Sequence, residues 1–235
     1  MGVTPDVKKM SPTAIKHLHR AARTGRDTII AHYAEGGGDI DVAAPEGWTA
    51  LMYAVACHQI SVAELLLRLG ANPEATGVLI GTTALSLAVY RGSFALIGLL
   101  LESGADTNHA NNLGYIPLMI AAREREPAIA RLLSHHGAVV NARDDEGRTA
   151  LHFAAGYGFP ETLSELMAQG ADINAYASGG ATPLMEAAWF GNFDKVQALI
   201  EAGATTSNTD GKGRTALSLA LERGHVNIIA FLEGC

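Results

Sequence analysis

The chain has 235 residues, a formal net charge of −7, 48% apolar residues and 17% charged ones. That acidic balance argues against a phosphate-binding surface, which needs clustered Lys and Arg, so nucleic acid is not the expected partner. No apolar run reaches the ~18 residues of a membrane-crossing helix. The polar stretch Met1–Pro12 also lacks the apolar core of a secretory signal.

In chain order the first expected element is a helix opened by Ser11-Pro12, carrying KHLHRA at 16. Its outer positions (Lys16, His17, Arg20, Asp27, Thr28, His32) are polar, as suits the end of an array. Related phrases follow as TALMYA at 49, TALSLA at 83, IPLMIA at 116, TALHFA at 149, TPLMEA at 182 and TALSLA at 215. Successive starts lie 33, 34, 33, 33, 33 and 33 residues apart. A period in this range marks stacked supersecondary units, none able to bury its apolar face alone. The expected architecture is one all-α solenoid over residues 13–235, preceded by a polar extension at 1–12.

Within the unit at 149, Thr149 is placed to cap a short helix bearing Leu151, Ala154 and Ala155. Gly158 breaks it, and Pro160 helps to start a second helix carrying Leu163, Leu166 and Met167. Gly170 ends that helix in a left-handed turn, and residues 171–181 form an extended turn or hairpin leading to the next cap. Pro117 and Pro183 stand at first helical positions, where a missing N–H costs nothing.

The T-x-L-H-x-A opening, Gly-Ala at 70–71, 104–105, 137–138, 170–171 and 203–204, and Asn at 108, 141 and 174 recur in register. With Gly at 114, 147, 180 and 213, this pattern resembles the ankyrin repeat over residues 13–235, in seven units with caps at both ends. The resemblance implies a curved stack of helix–turn–helix units with projecting hairpin or turn loops, and a protein-binding role without catalysis or cofactor. It also implies that the motif histidine, kept at His19 and His152, ties hairpins together by hydrogen bonds. Met52, Met119, Met185, Ser86 and Ser218 replace that histidine elsewhere. The glycine between paired helices is missing at His58 and Arg125, so strained or shifted turns are expected there.

The hairpin after the second phrase, EATGVLIGTT, has one extra residue and puts Val78, Leu79 and Ile80 at a loop tip. These residues either fold back on the neighbouring hairpin or form an exposed contact patch. In the ankyrin family the hairpin tips and first-helix ends line the concave, partner-facing side. By register this side includes Trp48, Tyr90, Arg91, Tyr115, Arg123, Arg148, Tyr157, Tyr176, Trp189 and Phe190. Trp, Tyr and Arg are the residue types most often found as binding hot spots. Tyr115, Tyr157 and Trp189 are expected to form a central aromatic stripe flanked by Arg91, Arg123 and Arg148. Alternatively, such bulky groups pack between hairpins and stiffen the stack.

Nothing in the chain has the spacing of a metal or catalytic site. His135 and His136 are adjacent and point apart on a helix, and Cys57-His58 lacks an orienting third group. GGGD at 36–39 sits in a repeat turn rather than between a strand and a helix. Cys57 and Cys235, five units apart, are expected to be free thiols, which fits the cytoplasm. The last phrase ends in HVNIIAFLEGC, where Ile228, Phe231 and Leu232 either fray or are covered, a self-association contact being one way to cover them. The expected function is an adaptor or scaffold binding another protein; the alternative is an inhibitor or self-protection protein that occludes an enzyme's active site.

Overall fold

The repeat phrases become first helices of seven helix pairs in a computed structural model that describes residues 10–235 apart from Leu79 and Arg125. The chain divides into two units, one up to Asn112 and one from Leu113 to Cys235. The first holds α1 (Pro12–Thr24), α2 (Asp27–Glu35), α3 (Ala50–Ala56), α4 (Ile60–Arg68), α5 (Ala84–Tyr90) and α6 (Phe94–Glu102). The second holds α7 (Pro117–Arg123), α8 (Pro127–His135), α9 (Ala150–Gly156) and α10 (Pro160–Ala168). It continues with α11 (Pro183–Trp189), α12 (Phe193–Glu201), α13 (Ala216–Arg223) and α14 (Val226–Glu233).

Helices of seven to nine residues are too short to persist alone in water, so packing must hold them. Within each unit first helices stack on first helices (α1 on α3 on α5; α7 on α9 on α11 on α13), and second helices on second helices (α2 on α4 on α6; α8 on α10 on α12 on α14). The phrase leucine supplies one layer of the core in the first six repeats (Leu18, Leu51 and Leu85, then Leu118, Leu151 and Leu184), while in the last repeat Leu217 is half-buried and Leu219, two residues on, is the buried one. Beneath them lie Ile30, Leu66 and Leu100, then Leu133, Leu166, Leu199 and Leu232. Small buried alanines beside each leucine allow the close approach of neighbouring helices.

The caps follow the sequence. Ser11 accepts from the Ala14 N–H, and Thr49, Thr83, Thr182 and Thr215 each accept from the amide three residues on. Gly170 adopts φ +84° just beyond α10, as its position demands. The hairpins are built from turns, with no strand among the described residues. Several close by an amide bonding the carbonyl four residues on, as Ala44 N–H to Trp48 (2.9 Å), Asp144 N–H to Arg148 (2.9 Å), Ala177 N–H to Ala181 (2.9 Å) and Asp210 N–H to Arg214 (2.9 Å). The extra residue after Gly77 is absorbed at the tip, where Gly77 N–H reaches one residue further, to the Thr82 carbonyl at 3.0 Å.

Side chains at the start of α4, α12 and α14 sew their repeats to the one before. Asn192 donates to the Ala155 and Gly156 carbonyls (3.2 and 2.9 Å), and His225 Nε2 bonds the Trp189 carbonyl at 3.1 Å. Gln59 does the same to Arg23 at 3.3 Å. Lys195, only 3% exposed, sends its ammonium to the Ala154 and Gly158 carbonyls at 3.1 and 3.2 Å. Gln59, Asn192 and His225 thereby supply partners to carbonyls at or beside helix C-termini that the helix itself cannot satisfy.

His58 takes φ +55°, the sole non-glycine residue at positive φ among those described. The left-handed conformation costs a side-chain-bearing residue ~1–2 kcal/mol. Replacing this exposed residue, His58→Gly, is therefore expected to raise the unfolding free energy by about 1 kcal/mol in urea titrations; an unchanged or lower value would show the turn to be unstrained. The second position lacking the glycine, Arg125, lies outside the described residues.

At the C-terminal end Ile228 and Leu232 are buried, and Phe231 meets Phe193 edge-on with ring centroids 5.6 Å apart. The last helix is thus covered from within by α12, and the large apolar side chains left exposed in this repeat are Leu221 and Val226. Cys57 and Cys235 are exposed free thiols. No helix among the described residues is long and apolar enough to cross a membrane, and none of their His, Cys, Asp and Glu groups clusters as a metal site would require.

Candidate protein-binding surface

In the second unit the ends of α7, α9, α11 and α13 carry the aromatic and cationic side chains singled out from the sequence. Tyr157 follows α9 and Phe190 follows α11; their rings lie 4.8 Å apart and both are exposed. The Arg123 guanidinium hangs 5.9 Å from the Tyr157 ring centroid. Trp189, half-buried, lies under Arg223 at 4.4 Å and Arg214 at 6.0 Å. Cations over aromatic faces hold both partners in place at small entropic cost, leaving a preformed rather than a collapsing surface.

Tyr115 and Arg148 behave differently. Arg148 is fixed by Asp144, whose carboxylate accepts from Nε at 2.9 Å and from the Arg148 and Glu146 amides at 2.7 and 3.0 Å. Its guanidinium also donates to the Tyr115 hydroxyl at 2.7 Å and stacks 4.8 Å from the Phe153 ring centroid. Tyr115 packs edge-on against the same ring at 5.1 Å. This trio is a cemented wall: Arg148 spends its guanidinium on Asp144 and the Tyr115 hydroxyl, and both pack against the Phe153 ring.

Phe153 and Glu186 were not legible from the repeat register. Phe153 sits one helical turn before Tyr157 on α9 and is buried beneath Arg148. Glu186, on α11, lies beside Gly156, where a β-carbon would come 3.7 Å from its Oε2 and 3.2 Å from the Phe190 ring. Burial pushes its carboxyl above the ordinary range, against the opposing pull of Arg148. The order of apolar and polar groups along α9 could have signalled Phe153, but no motif marks a carboxylate in that position.

Tyr176 is exposed at the next hairpin, its hydroxyl donating to Asn208 at 2.8 Å, while its carbonyl accepts from Arg143. The other nominated residues belong to the first unit. Tyr90 and Arg91 are exposed at the end of α5. Trp48 is half-buried, its ring 5.3 Å from that of Tyr53, and it crowds Gly77. Val78 is 71% and Ile80 52% exposed, although Val78 rests on Gly47 of the preceding hairpin. Both anticipated behaviours therefore coexist: the tip leans back on its neighbour and still presents apolar surface. Leu79 lies outside the described residues.

The histidine ties implied by the family pattern are present at both positions that keep the residue. His19 Nε2 bonds the Val42 carbonyl at 2.8 Å, and His152 Nε2 that of Ala181 at 3.1 Å. Met52, Met119 and Met185 are buried as packing groups instead. Ser218 keeps half of the arrangement, accepting from the Thr215 amide at 2.8 Å without reaching a hairpin. The motif asparagines stitch successive loops: Asn141 accepts from Asp172 N–H at 2.8 Å and donates to the Gly170 carbonyl at 3.0 Å. Asn174 repeats this with Thr205 at 2.9 Å and Gly203 at 3.3 Å.

The chain is similar to several characterised proteins. It is 34% identical over 121 residues to the B-cell lymphoma 3 protein homolog of Mus musculus, and 36% over 109 residues to the nuclear factor NF-kappa-B p105 subunit of Gallus gallus. A putative ankyrin repeat-containing protein of Treponema pallidum (strain Nichols) is 38% identical over 98 residues. The aligned parts cover 51%, 45% and 41% of this chain, but only 27%, 11% and 33% of those relatives. The family model described as Ankyrin repeats (3 copies) matches residues 5–77, 74–144, 140–210 and 178–234, which together run almost the length of the sequence. With the helix pairs, the histidine ties and the asparagine stitches in register, the chain belongs to the ankyrin repeat family.

Proposed function

We propose that this chain is a protein–protein interaction module, an adaptor or scaffold whose partner docks on the aromatic and cationic strip of the second unit. The observation that carries this reading is the strip itself: Tyr157 and Phe190 exposed and paired, Arg123 beside them, and Trp189 held under Arg223. Tyr115, Arg148 and Tyr176 frame it, and Trp48, Tyr90 and Arg91 offer a further patch in the first unit. Exposed aromatic groups that are already ordered lose little side-chain entropy on binding, which favours them as anchors. The test is to capture the partner from source-cell extract and titrate it calorimetrically against Tyr157→Ala and Trp189→Ala. Each substitution is expected to weaken binding by about 2 kcal/mol or more, with circular dichroism unchanged. Undiminished affinity in both variants would remove the strip as the docking surface.

A second reading, inhibition of an enzyme by occlusion, is favoured by the exposed apolar tip at Val78 and Ile80. If the captured partner is an enzyme, Val78→Ser with Ile80→Ser is expected to relieve inhibition if the tip plugs a cleft, and to leave recruitment untouched if the chain is a scaffold.

A further inference from the structure

The first helix carries a charge pattern opposite to the chain as a whole. Over Pro12–Thr24, α1 contains Lys16, Arg20 and Arg23 and no acidic residue, in a chain of net charge −7. Spacings of four and three place these cations on one helix face, opposite the buried Leu18, Ala21 and Ala22. A cleft of about 440 Å³ opens between this face and the hairpin at 44–46, with Tyr53 forming a wall.

The charges in that cleft do not cancel. Glu46 is the sole acidic group on its rim. It accepts from the Tyr53 hydroxyl, and Arg23 approaches it at 3.4 Å while lying 4.0 Å above the Tyr53 ring. The Tyr53 hydroxyl, and then Arg23, hold the Glu46 carboxyl below the ordinary carboxylate range. Glu46 is thus occupied by Tyr53 and Arg23, and neither Lys16 nor Arg20, both exposed, has an ion pair among the described residues. A helix-terminus role accounts for Arg23, which lies in the last turn, where the dipole favours cations. It does not account for Lys16 in the first half of the helix.

We infer that the face of α1 bearing Lys16 and Arg20, with the adjoining Tyr53 cleft, is a docking site for a short acidic peptide segment of a partner protein. Two carboxylates on such a segment would pair with Lys16 and Arg20, and the flanking backbone would lie along Tyr53 and Pro45. A short segment suits the site better than a nucleic-acid strand. Three cations neutralise few phosphates, and the acidic remainder of the chain repels an extended polyanion. This site lies in the first unit and does not depend on the strip described above.

The test uses the full chain and fluorescein-labelled hexaglutamate, followed by fluorescence anisotropy at low salt. Saturable binding is expected, weakened by about tenfold or more in the variant Lys16→Glu/Arg20→Glu, whose exposed positions leave the circular dichroism intact. A control with the same change in net charge, Arg68→Glu/Lys212→Glu, is expected to bind as the parent does. No binding to the parent chain would overturn the proposal, as would equal losses in the two variants. Displacement by an oligothymidylate of matching charge as readily as by unlabelled hexaglutamate would assign the face to phosphate, and so would also overturn it.

Discussion

Gly158→Ala is expected to lower the unfolding free energy by about 3 kcal/mol, at the upper end of what overpacking costs in a well-filled interior. A β-carbon there would fall 2.7 Å from the Ala122 carbonyl oxygen, 2.8 Å from the Ala154 α-carbon and 2.9 Å from the Ala154 carbonyl oxygen. All three are backbone atoms, so no rotamer change relieves the clash. The Gly158 carbonyl also accepts from Lys195 at 3.2 Å, so a shift of the turn would loosen a buried ammonium as well. Contrast Gly179, which has open space around it and no positive φ; Gly179→Ala is expected to change stability by less than about 0.5 kcal/mol. Urea titration of both variants decides the matter, and similar midpoints would show that the α9–α10 turn yields freely.

His152→Ala is the second large effect, about 3 kcal/mol at neutral pH. The imidazole is buried, and its Nδ1 accepts from the Thr149 amide at 3.1 Å while Nε2 donates to the Ala181 carbonyl at 3.1 Å. Removing it leaves a buried donor, a buried acceptor and a void, each worth roughly 1–3 kcal/mol. Burial also holds the imidazole below its ordinary value of 6.5. A depressed histidine means that the unfolded chain binds the proton more readily. Its contribution is therefore complete above pH 6.5 and is lost as the pH falls below that value towards the folded pKa. The parent chain should lose stability across that interval more steeply than His152→Ala. Parallel pH profiles would mean that His152 is protonated in the folded state without penalty.

The period of 33 and the cap chemistry were legible because they are local. Threonine at a cap, proline in a first turn and glycine after a helix each fix the backbone within four residues, whatever lies around them. The histidine ties were expected only because the resemblance to the ankyrin repeat implies them, and His19 and His152 both make them. The content of the binding surface was less legible because it depends on what faces what. Tyr115 and Arg148 stand where a partner-facing residue belongs, yet Asp144 and Phe153 draw both into the hairpin wall. Arg148 and Asp144 are four apart in a loop, so no helical spacing announces their pairing. Lys195 reads as a solvent group by type, and only the geometry of the preceding α9 shows its ammonium buried on two carbonyls. The apolar tip stood out in the sequence at once, but that Val78 leans against Gly47 while Val78 and Ile80 remain exposed is an outcome that only packing decides.

The stitching groups Gln59, Asn192, Lys195 and His225 all point the same way, from a later repeat into carbonyls of an earlier one. At these three junctions the later repeat completes the carbonyl end of the earlier repeat's first helix. A chain emerging N-terminus first from the ribosome would leave the Arg23, Ala155, Gly156 and Trp189 carbonyls open until the following repeat folds against them.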